Sequence, residues 1–115
     1  MDILSDDLVI HGHPVAVENV DDSRREFSEL LILIVSETCD RYTSGECWLT
    51  SLRFNDGDAS YRLDLESTAG EEKAHCVESV LVNAFRLLFP GVLIVPLVKR
   101  VDGEEWLNPS DLSVN

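Results

Sequence analysis

Basic residues are scarce in this chain. Nine lysines and arginines stand against twenty-two aspartates and glutamates in 115 residues, a formal net charge of −13. That excess exceeds the magnitude of about 2 to 8 that solubility alone asks of a small domain. A field of this sign repels phosphate backbones, which disfavours direct nucleic-acid binding, and it attracts cationic partners and speeds encounter with them. Long apolar runs are also missing. The longest, Leu30 to Val35, falls well short of the roughly 18 to 20 residues of a membrane span. The first ten residues, MDILSDDLVI, carry acids where a secretory leader would carry bases, so the expectation is a soluble, cytoplasmic protein.

Cysteine is sparse too. Cys39, Cys47 and Cys76 are odd in number and form no CxxC, so neither a disulfide framework nor a zinc knuckle is indicated, and reduced core thiols are expected. Motifs of known chemistry are absent from the sequence. There is no glycine-rich phosphate loop, GxSxG elbow or HExxH helix. DGDASYRLDLE lacks the sixth-position glycine and the terminal glutamate of a calcium loop. His11 and His13 share a side of an extended chain but have no third ligand nearby in sequence, so no metal or cofactor is expected. His75 and Cys76 lie about 100° apart around a helix, a poor arrangement for a nucleophile and its base. These readings point to a protein that is not an enzyme.

What is present specifies a fold. Ser23 to Tyr42 reads as a long helix, opened by a capping box between Ser23 and Glu26 with Asp21 and Asp22 before it. Phe27, Leu30, Leu31, Ile34, Val35, Thr38, Cys39 and Tyr42 follow one helical face. Because Leu30 to Val35 is apolar all round, Ile32 and Leu33 call for a second layer or a partner surface. Gly45 ends the helix after Thr43 and Ser44. A second helix is predicted from Thr68, capped with Glu71, to about Leu88, with Ala74, Val77, Leu81, Ala84, Phe85 and Leu88 buried and Pro90-Gly91 as its stop.

Strands fill the remainder. Leu8 to Val20 suggests a tight hairpin or kinked strand around Gly12 and Pro14. CWLTSLRF-NDGD-ASYRLDLES is the clearest hairpin. A two-residue turn at Asp56-Gly57 would set Phe54 opposite Ala59, Leu52 opposite Tyr61 and Trp48 opposite Leu65. Trp48, Leu52, Phe54, Tyr61, Leu63 and Leu65 would then share the core face. Val92 to Val101 is a strand in which Pro96 demands an edge or a bulge. Asp102-Gly103 would turn it back through Glu104 and Glu105. The expected architecture is a single compact α+β domain over residues 1–115. It has one layer of mainly antiparallel sheet, in the order β-β-α-β-β-α-β-β, and two long helices on one face.

The acids cluster at turns and helix starts: Asp2, Asp6 and Asp7; Asp21, Asp22, Glu26 and Glu29; Asp56 and Asp58; Glu71 and Glu72; Asp102, Glu104 and Glu105. A cap or turn needs one acid, and these sites carry two to four. Trp106 beside Glu104 and Glu105 has the character of an aromatic anchor in a charged rim. Asp21, Asp22, Asp56, Asp58, Asp102, Glu104, Glu105 and Trp106 are therefore the expected partner-binding residues. The function expected from them is that of an inhibitor of the bacterial immunity or antitoxin kind, neutralising a basic, nuclease-like toxin. The alternatives are a dimeric secretion-type chaperone for an unfolded client, or an enzyme whose site is assembled from distant residues. The sequence leaves monomer and homodimer open.

Overall fold

A computed structural model describes residues 8–10 and 12–101. Three short strands, β1 (Val9–Ile10), β2 (His13–Pro14) and β3 (Ala16–Glu18), lead through a 3-10 turn at Asp22–Arg24 into helix α1 (Arg25–Thr43). Strands β4 (Cys47–Asn55) and β5 (Ser60–Ser67) follow, then helix α2 (Glu71–Leu88) and strand β6 (Leu93–Arg100). β1 and β2 form a hairpin, the first of the two alternatives expected there, with Ile10 opposite His13. The other four strands make one sheet in the order β3-β4-β5-β6.

The protein is α+β with two helices, as expected, but the sheet is mixed rather than mainly antiparallel. β4 and β5 run antiparallel, whereas β3 pairs parallel with β4 and β5 parallel with β6. Each parallel pair is joined through a helix, the usual consequence of bringing a chain back to the same end of a sheet. Both connections step the same way across the sheet, and the two parallel pairs point in opposite directions. If both crossovers were right-handed, their helices would lie on opposite faces. Here α1 packs on β4, α2 on β6, and the helices touch each other, so the crossovers have opposite hands. One of them departs from the strong right-handed preference, and the common core between the helices takes precedence over it.

That core is one cluster. Leu52, Leu63 and Leu65 of the sheet and Leu31, Val35, Val77 and Leu81 of the helices are at most 1% exposed. Burying each contributes about 1.5–3 kcal/mol. The α2 stripe matches the prediction at Ala74, Val77, Leu81 and Phe85, but Leu88 is 57% exposed in the last turn.

Helix α1 is rotated from its expected orientation. Its buried residues are Ser28, Leu31, Ile32, Val35, Cys39 and Thr43, while Leu30 and Tyr42 are exposed. A run that is apolar all round carries no preferred face, so packing chooses one, and here β4 and α2 select the side centred on Leu31 and Val35. Ile32 is thus inside, at 2% exposure, and Leu33 outside, at 62%.

Neither expected capping box forms. Asp21, not Ser23, caps the 3-10 turn by accepting from the Arg24 N–H at 3.2 Å, and Ser23 Oγ donates to the same Asp21 oxygen at 2.6 Å. Gly70 precedes α2 without a side-chain cap, and Thr68 Oγ donates instead to the Glu46 carbonyl. The stop signals hold: Ser44 and Gly45 both take positive φ, at 53° and 95°, and Gly91 does so at 91° after α2.

The central hairpin has a different register from the one expected. Asn55 pairs with Ser60, Phe54 with Tyr61 and Leu52 with Leu63, so residues 56–59 form a four-residue loop. Two details fix it. Asn55 Oδ1 accepts from the Gly57 N–H at 2.9 Å, and Ala59 adopts φ 53°. Along β4, register slips between Leu49 and Ser51, a bulge that turns the alternation over at Thr50. Cys47 and Leu49 then face the core with Leu52 and Phe54, and Trp48 leaves that face. Its indole stacks on the His13 ring, with centroids 4.1 Å apart and planes 7° from parallel.

Among the described residues β6 is the outermost strand of the sheet, one of the two placements, edge or bulge, that Pro96 allows. The Val101 N–H donates to the Ser67 carbonyl of β5 at 3.2 Å. The expected return strand through Glu104 and Glu105 lies outside the described residues.

Candidate functional site

Two segments meet where β4 turns into β5. The loop of residues 56–59 presents Asp56 and Asp58. Asn19, just after β3, takes φ 56°, which aims its side chain along the sheet end. Its Nδ2 donates to the Phe54 carbonyl and to Asp56 Oδ2, each at 2.8 Å. The chain continues into Asp21 and Asp22 at the start of the 3-10 turn. Two acid pairs far apart in sequence therefore share one end of the molecule.

An aromatic floor supports this end. Phe54 and Tyr61 are direct cross-strand partners with ring centroids 5.0 Å apart, and Phe27 lies 5.1 Å from Tyr61 and 4.8 Å from Phe89. Edge-on contacts of this kind add to the area buried. The Arg24 guanidinium sits 3.9 Å over the Phe54 ring. Burial pushes the Tyr61 hydroxyl to a higher pKa, with Arg24 acting against it.

The carboxylates at this end differ in how far they are neutralised. Arg24 reaches Asp21 at 2.7 Å and Arg25 reaches Asp22 at 2.8 Å. The Asp21 carboxyl is held below the usual aspartate range, first by the Ser23 hydroxyl, then by the Arg24 charge and the Arg24 and Ser23 backbone. Asp22 remains 93% exposed despite its partner, where an ion pair is worth little. The hydrogen bonds of Asp56 and Asp58 come from neutral groups, Asn19 and, at 2.6 Å, Ser60 Oγ. Those contacts orient the carboxylates and leave their charge uncancelled.

Elsewhere among the described residues several carboxylates are paired with bases. On the sheet face away from the helices, Arg53 pairs with Glu18 at 2.6 Å and Arg62 with Asp64 at 3.1 Å. Glu71 and Glu72 begin α2 at the opposite end of the sheet, where Glu71 meets His75 at 3.3 Å and Glu46 meets Lys73 at 3.3 Å. Of the expected partner-binding residues, the structure brings together Asp21, Asp22, Asp56 and Asp58. Asp102, Glu104, Glu105 and Trp106 lie outside the described residues, as does His11. Sequence reasoning missed Asn19 and Arg24, which join the two segments. The only signal for Asn19 was its residue type, since asparagine tolerates positive φ better than most.

Among the described residues no group of three or more His, Cys, Asp or Glu is placed to hold a metal ion, and no helix is long and apolar enough to cross a membrane. Comparison with protein-family models, with curated proteins and with solved structures gave no match.

Proposed function

We propose that this protein is a non-catalytic inhibitor that captures a basic protein partner, of the nuclease-toxin kind, at the acidic end of its sheet. The observation that carries the reading is the meeting of Asp21 and Asp22 with Asp56 and Asp58, of which the last two are oriented but not neutralised. Pre-positioned carboxylates lose little freedom on binding a cationic cleft, and their field accelerates encounter. An inhibitor of this kind works in the cytoplasm, before its target reaches nucleic acid.

The test is capture of partners from the native host by wild-type protein and by Asp22→Asn/Asp56→Asn/Asp58→Asn. A basic nuclease retained by wild type, released by high salt, inhibited on binding and lost by the triple variant supports the reading. Equal retention by the variant, or capture of no basic protein, overturns it.

A second reading, a chaperone that works as a dimer, rests on exposed apolar side chains: Leu33 at 62%, Leu87 at 83%, Leu93 at 51% and Val95 at 44%. A chaperone or an obligate dimer gains if Ile32 and Leu33 are both exposed, and Ile32 is buried. The acidic end is the better supported site.

A further inference from the structure

The acidic end has an apolar neighbour. Gly91 turns the chain back after α2 with φ 91°, and the Val92 N–H donates to the Phe89 carbonyl at 3.1 Å. Strand β6 therefore starts beside the aromatic floor, where Phe89 meets Phe27. Leu93 then stands opposite Ser60 of β5, the residue whose hydroxyl holds Asp58 at 2.6 Å. Ile94 and Val98 turn into the core, while Leu93 and Val95 alternate onto the other face, where they are 51% and 44% exposed. With Val82, Phe85 and Arg86 of α2, these two side chains line a groove of about 340 Å³ along β6. Its size falls within the roughly 300–1,000 Å³ of ligand pockets, and solvent-facing aliphatics gathered beside a charged rim mark contact surfaces.

We propose that this groove seats a leucine-like or aromatic side chain of the basic partner, so that the segment recognised carries an apolar residue next to a run of lysines or arginines. This role of the groove rests on the reading of the acidic end as a binding site, and it adds the apolar half of what the partner presents. Charge complementarity selects that occupant. At the near end of the groove Asp56 and Asp58 keep a charge that their neutral hydrogen-bond donors do not cancel, and it attracts bases. Arg86, exposed on the groove wall, repels a base from the groove itself, which fixes the order of apolar and basic residues. A second copy of this chain fits poorly, because it would bring another net charge of −13 to the same end. The carboxylates then govern arrival and the groove governs departure, as rim charges and buried anchors do at other interfaces.

The test uses the full chain, isotope-labelled for amide NMR, and two synthetic peptides: one of two leucines, a glycine and four lysines, the other with serines for the leucines. The leucine peptide should shift the signals of residues 92–95 as well as those of residues 56–58, and bind at least about tenfold more tightly than the serine peptide. Leu93→Ser/Val95→Ser should abolish that difference and leave the affinity of the serine peptide unchanged. Equal affinities for wild type, with shifts confined to residues 56–58, would overturn the groove and leave the acidic end standing. If the leucine peptide bound the groove of Asp56→Asn/Asp58→Asn as tightly as that of wild type, the acidic end would fall, and with it the pairing of charge and groove. Signals of residues 92–95 that move with protein concentration in the absence of peptide would give the groove to a second copy. Contacts there from elsewhere in the same chain would give it to the chain itself, and either result overturns the proposal.

Discussion

Asn19 and Asp56, thirty-seven residues apart, are joined by a 2.8 Å hydrogen bond that locks the end of β3 to the β4–β5 loop. The same Nδ2 holds the Phe54 carbonyl, so one side chain registers two strands and aims a carboxylate. Asn19→Ala removes both bonds while keeping a Cβ at positive φ, and should cost about 1–3 kcal/mol. Asn19→Gly loses the bonds but relieves the backbone and should cost less. Urea unfolding of the two variants checks the order; a glycine variant as unstable as the alanine one would show that the backbone conformation contributes nothing.

The rotation of α1 is open to a direct test. Ile32→Ala should destabilise by about 2–4 kcal/mol, as buried aliphatic truncations do. Leu30→Ala, at a position 42% exposed, should cost under about 1 kcal/mol. The face inferred from periodicity alone demands the reverse ranking, and denaturant midpoints at equal m-value decide between them.

Asp21 gives a pH signature. Its carboxyl is held below the ordinary aspartate range in the folded state, so its contribution to stability is complete above that range and disappears as pH falls through the depressed native value. Asp21→Asn cannot titrate. The stability gap between wild type and this variant should therefore be constant near neutrality and narrow progressively in acid. A gap that persists unchanged into strong acid would mean that the carboxylate's charge is irrelevant to the cap.

The outer side of β6, the last strand of the sheet among the described residues, is guarded. Glu78 of α2 accepts the Val98 N–H at 3.0 Å, and Pro96 has no N–H to offer on the same side of β6. Edge strands with free donors recruit other chains, and natural proteins block them in such ways. Glu78→Ala with Pro96→Val should raise self-association above the wild-type level in light scattering at matched concentration. Glu78→Gln, which keeps an acceptor, should not.

These elements show what was legible in the sequence. Helix lengths, both stops and the α2 stripe as far as Phe85 were readable because each depends on residues near in sequence. The face of α1 was not, because Leu30 to Val35 is apolar in every direction. The hairpin register was missed because Asp56-Gly57 satisfies the two-residue rule while Ala59, a residue type with no special liking for positive φ, adopts 53° to make a longer loop. Trp48 was placed on the wrong face because a bulge at Thr50 leaves no mark in the alternation. Parallel pairing is a tertiary outcome, and nothing local in AVE or LIVPLVKR announces it. Likewise the pairing of two acid clusters at one end required knowing which way β3 runs.

The arrangement of strands also orders the assembly of the molecule in time. Within the four-stranded sheet, β4 and β5 alone among the described strands are joined by a short loop, whereas each outer strand must wait for its helix to carry the chain back. Amide exchange should then be slowest in the central pair and fastest in three-residue β3. Local opening that frees β3 would release Asn19 and scatter the acidic end while the rest of the sheet endures, making the proposed binding end more fragile than the fold that carries it.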